Sequence, residues 1–165
     1  MNRVFLALLF VGCSAPLRTT VVLTQADLQA KVDKKFPVEK DVVVAKLVLE
    51  DPAIQLTEGS DRVALELDAG IRVGFVKYTG RLGVLGDLEY DEDSSALFLR
   101  NAEVTKLDVP DLPAKYHDEV RAAATGLVRA QLEVTPVHRL KKPHEKMFVK
   151  SVTIRDQKAI VEVGL

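Results

Sequence analysis

Within residues 112–134 apolar side chains recur at Tyr116, Val120, Ala123, Ala124, Leu127, Val128 and Leu132, the three-and-four spacing of one helical face. Lys115, Asp118, Glu119, Arg121, Arg129 and Glu133 fall mostly on the opposite face. The pattern predicts a helix about 30 Å long at ~1.5 Å per residue, and no other stretch of the chain carries one of that length. A shorter helix is predicted to start at Thr24, with Asp27 placed to complete its cap. Leu28, Val32 and Phe36 repeat every four residues, Lys31, Lys34 and Lys35 suit the negative end of the helix dipole, and Pro37 stops it.

Elsewhere the period is two. A brief strand is expected at 21–23, and a β-branched one at 42–50, broken by Asp51-Pro52 and resuming at 54–56. Residues 58–61 signal a turn. After it Val63, Leu65 and Leu67 face one way and Ala64, Glu66 and Asp68 the other, so the sheet has a dry and a wet face and is antiparallel. Gly70 and Gly74 are expected to mark bends or bulges. Leu82, Val84, Leu88 and Tyr90 share one strand, 91–95 turn, and 96–100 and 102–109 continue the meander until Pro110 and Pro113 close it. A short strand at 135–140 and a hairpin of 148–154 with 159–163, turning near Asp156-Gln157, end the chain. One greasy-striped helix among so much antiparallel structure implies an α+β fold: a highly curved antiparallel β-sheet wrapped around one long α-helix in the C-terminal half, plus a short N-terminal helix.

Composition narrows the function. With 165 residues, 47% hydrophobic and 28% charged, the chain can bury one real core. A net charge of -1, 5% aromatic residues and no Trp argue against a nucleic-acid partner. A single cysteine, Cys13, excludes an internal disulfide and a cysteine-based zinc site.

That cysteine ends an apolar run. Arg3, then apolar residues 4–11, then Gly12-Cys13 read as a secretory signal, far short of the ~20 residues that span a bilayer. Phe10-Val11-Gly12-Cys13 resembles a bacterial lipobox. The resemblance implies cleavage after residue 12, acylation of Cys13 with palmitate-type chains, and, through Ser14, sorting to the outer membrane. One acyl chain holds a protein marginally, whereas several hold it durably. The expected organisation is a signal peptide at 1–12, a lipidated Cys13 and tether at 13–20, and one lipid-binding-like domain at 21–165.

Candidate chemistry is sparse. His117, His138 and His144 show no paired ligand spacing, and no GxSxG nucleophile elbow exists. The glycine-rich 80–86 stretch lacks the ending of a phosphate loop and reads as a strand relieved by glycine. Asp91, Glu92 and Asp93 lack the spacing of a calcium loop. No enzyme, cofactor or metal is expected.

The order of elements, together with residues 23–27 (LTQAD), 96–104 (ALFLRNAEV) and the 112–140 helix and strand, resembles the YceB-like family of Gram-negative lipoproteins. That family is similar in fold to one half of the tubular lipid-binding proteins, such as bactericidal permeability-increasing protein. The resemblance implies binding of a lipid or other apolar ligand between helix and sheet, in a groove lined by Tyr116, Val120, Ala123, Ala124, Leu127 and Val128. The small residues among these either leave room for acyl chains or let helix and sheet approach closely. The expected partners are thus a membrane, reached through the anchor, and an apolar ligand. The alternative is a non-catalytic envelope interaction or scaffold protein whose sheet edge or outer face docks a partner, favoured by a filled core and an exposed apolar patch.

Overall fold

The computed structural model describes residues 18–42, 45–140 and 148–164. In chain order these form β1 (Arg18–Thr24), α1 (Gln25–Asp33), β2 (Val38–Val42), β3 (Ala45–Leu56), β4 (Arg62–Val73), β5 (Val76–Asp91), β6 (Ala96–Asp108), α2 (His117–Leu132), β7 (His138–Arg139), β8 (Phe148–Arg155) and β9 (Lys158–Gly164). A turn of 3-10 helix, Ala114–Tyr116, leads into α2.

The expectation of one sheet wrapped around one long helix is overturned. The molecule is mostly β and has two antiparallel sheets, a six-stranded one in the order β2-β3-β4-β5-β6-β7 and a three-stranded one in the order β1-β9-β8. Its helices are short: α1 has 9 residues and α2 has 16, so α2 is about 24 Å long. Pro113 fixes an extended start and Ala114–Tyr116 are wound more tightly, which shortens α2 at its N-terminus. The second sheet exists because β1 pairs along its whole length with β9, from Arg18 opposite Gly164 to Thr24 opposite Lys158. No periodicity reports a pairing between the two ends of a chain. No helix among the described residues is long and apolar enough to cross a membrane.

Local chemistry explains the elements that were legible. Thr24 accepts from the Asp27 amide (3.1 Å) and Asp27 accepts from the Thr24 amide (3.0 Å), a reciprocal cap that starts α1. Val63, Leu65, Leu67, Ala69 and Ile71 are buried along one face of β4, as alternation requires. Asp156 and Gln157 both have positive φ and make the tight turn between β8 and β9. At 51–52 the β3–β4 register shifts by a bulge and β3 continues beyond it. β6 likewise passes unbroken through Asn101, where positive φ accompanies a register shift against β5.

Both helices seal open flanks of the large sheet. β2 covers β3 only as far as Leu49; beyond that, the Gln29 side chain on α1 donates to the Pro52 carbonyl and accepts from the Ile54 amide (2.8 Å). β7 covers β6 only at Ala96 and Leu97. Farther along, Glu133 accepts from the Ala102 amide (3.0 Å), Arg129 donates to the Ala102 carbonyl (2.8 Å) and Arg121 donates to the Val104 carbonyl (3.2 Å). Side chains here stand in for a missing strand. One core joins both sheets and both helices, from Leu23 and Val161 through Leu47, Ile71 and Leu82 to Ala124 and Leu132.

Candidate functional site

The residues expected to line a groove are brought together, but in packed core. Val120, Ala123, Ala124 and Val128 are buried on α2, while Tyr116 and Leu127 pack at the margin of the core. Ala124 has 0% exposure, so a water-sized sphere fits against it neither from outside nor from within. The large-sheet core residues Leu49, Ile71 and Leu82 are closed to the same degree. The alanines let helix and strands approach closely, and no acyl-chain groove opens between them among the described residues. Gly126, on the outer side of α2, lies beneath the Lys40 ammonium, 3.5 Å from where a Cβ would sit.

Two clefts on the outside of the large sheet have charged walls. One of about 400 Å³ is lined by Glu50, Asp68, Arg81 and Asp108 with the backbone of Gly80. Another, of about 180 Å³, is lined by Glu39, Lys46, Glu50, Arg72 and Lys77. Neither touches a residue of the expected groove, and both carry charges of opposite sign. Such walls do not select an apolar guest.

The β4–β5 hairpin is different. Val73 pairs with Val76, leaving Gly74 and Phe75 as a two-residue turn. Gly74 has φ +58°, and glycine in the first turn position is the signature of a type II′ hairpin. Phe75 is fully exposed and Val76 is 53% exposed. One row behind the tip, Lys46, Arg72 and Lys77 stand directly opposite one another across β3, β4 and β5. Lys46 pairs with Glu39 at 3.0 Å; among the described residues Arg72 and Lys77 have no carboxylate partner.

The remaining candidates are scattered. A ring nitrogen of His117 lies 2.9 Å from the Leu112 carbonyl oxygen, which anchors the start of α2. His138 is on β7, and burial, aided by the Lys31 charge and opposed by Asp27, holds it below the usual histidine range. His144 and Cys13 lie outside the described residues. Asp91 accepts from the amide and hydroxyl of Ser94, at 2.9 and 2.7 Å, and these bonds lower its pKa; the acidic turn is thereby explained by its own geometry. The described residues contain no cluster of His, Cys, Asp and Glu fit for a metal ion. In the 80–86 stretch, a Cβ on Gly80 would strike the Asp108 carbonyl oxygen and approach the Val109 Cα to 2.6 Å, so glycine there permits close backbone approach.

A family model described as a protein of unknown function, DUF1439, matches residues 23–158. The chain belongs to the DUF1439 family. The match takes in the whole large sheet, both helices and β8, and stops where β9 begins. No curated protein matches the chain. Within this DUF1439 domain, sequence reasoning missed the exposed tip because Gly74 was read as a bend or bulge. The available signal was Gly-Phe between Val73 and Val76, a two-residue hairpin with glycine first. It also missed the sealing role of Arg121, Arg129 and Glu133, whose spacing on the helix resembles a solvated face.

Proposed function

We propose that this chain is a non-catalytic interaction domain of the bacterial envelope that meets its partner on its exterior. The observation that carries this reading is Phe75, an aromatic side chain fully in water on a molecule whose interior is filled. Phe75 adds nothing to the core of the described residues, and with Val76 beside it offers an apolar surface to an outside contact. The setting rests on sequence. Gly12-Cys13 suits a lipid anchor, Ser14 suits the periplasmic face of the outer membrane, and the YceB-like stretches fit the same location.

Binding of a lipid inside the domain is the competing reading, and the closed helix–sheet interface gives it no support. Native mass spectrometry of the protein extracted from the envelope separates the two. The expected mass is that of the polypeptide with its anchor and nothing more. An apolar ligand retained at one-to-one stoichiometry would contradict the exterior reading.

A further inference from the structure

We propose that the β4–β5 hairpin inserts Phe75 into the interface of an anionic lipid bilayer, with Arg72 and Lys77 against the headgroup phosphates. This rests on the exterior-contact reading and names the partner at that surface.

The turn itself does not call for Phe. Gly74 supplies the positive φ, and the second position of such a turn accepts polar residues readily. Phe75 packs on nothing among the described residues, and with Val76 beside it forms an apolar knob. A knob needs either a matching pocket or a soft medium. A bilayer interface is the latter and imposes no shape.

The charges behind the knob point the same way. Like charges directly opposite one another weaken a sheet, yet Lys46, Arg72 and Lys77 occupy one cross-strand row, which ends at Asp41 opposite Lys46. Glu39 satisfies Lys46. Glu50 lines the same cleft but forms no ion pair with Arg72 or Lys77. Two cations are left over beside the tip, complementary to phosphate-bearing headgroups. Consecutive residues of a strand are ~3.3 Å apart, and interfacial side chains sink roughly 5–10 Å into the headgroup region. A ring at that depth puts Arg72 and Lys77 at the level of the phosphates.

The test uses the chain from residue 13 onward with Cys13→Ser, so that neither the apolar signal nor an acyl anchor holds it to the vesicle. The chain has no Trp, so Phe75→Trp places a single reporter at the tip. Vesicles of phosphatidylcholine containing phosphatidylglycerol are expected to shift the indole emission to the blue. Brominated acyl chains should then quench it, and vesicles of phosphatidylcholine alone should do neither. Adding Arg72→Gln and Lys77→Gln should weaken vesicle affinity roughly 30-fold, at about fivefold per charge near an anionic surface. Val134→Trp, at an exposed site after α2, should stay unshifted in the same vesicles. No shift at position 75, a shift indifferent to lipid charge, or an equal shift at position 134 overturns the inference. A tip probe that is silent with vesicles but immobilised by an envelope protein overturns it too, while leaving the exterior reading intact. Lipid found inside the domain removes that reading itself.

Discussion

Ala124 and Glu133 show how far a single position can be read from sequence. The alanines at 123 and 124 were placed on the correct face of α2, and both are buried. Spacing reports which side a residue faces; it is silent on how closely the opposite wall approaches. Arg129 and Glu133 were placed on the face opposite the apolar stripe, where their head groups complete the backbone bonding of Ala102. Thr24 was fully legible, since a cap is made within four residues. Thr24→Ala should cost about 1 kcal/mol of stability in urea unfolding. Asp27 adds a pH dependence of known sign. The Thr24 hydroxyl first, and then the Thr24 amide, hold the Asp27 carboxyl below its ordinary 3.8. The folded state therefore releases this proton more readily than the unfolded one. Its contribution is complete above that ordinary value and is lost as pH falls through the lower folded value. The stability difference between the natural chain and Asp27→Asn should be largest near neutrality and should shrink on acidification, as denaturation midpoints across the acid range would show.

At the scale of elements, strands were legible where a dry face alternates with a wet one between neighbours in sequence. β4 and β5 follow their alternation, and the β8–β9 hairpin follows both its alternation and its turn residues. β2 was missed because Val38–Val42 is mostly exposed and has no dry face to alternate. The flank of β6 was invisible for a related reason: its partner is a set of side chains rather than a strand. Glu133→Ala removes the acceptor for the Ala102 amide, a group on a residue with no exposure. A buried donor left unmet costs about 1–3 kcal/mol, and the same amide should lose protection from hydrogen exchange. Glu133→Gln keeps an oxygen in place and should cost clearly less. If the two substitutions prove equivalent, the sealing role of Glu133 is wrong. Gly80→Ala should also destabilise, by about 1–3 kcal/mol from overpacking, because its Cβ meets β6 backbone rather than a side chain that can swing away.

For the molecule as a whole, the sequence spoke clearly about a dry interior and poorly about topology. The return of β9 to β1 joins residues at opposite ends of the described chain, and only the folded structure brings them together. With that second sheet in place, one continuous core of buried residues includes the α2 positions where a ligand was expected. What remains for a partner is the outer surface, and Phe75 is the most exposed large apolar side chain among the described residues. Urea unfolding of Ala124→Phe tests this most directly. A filled interior predicts a loss of about 1–3 kcal/mol, because the added ring has no space to enter. Unchanged stability, together with loss of an apolar ligand carried by the natural protein, would show that the helix and the sheet part to hold a guest.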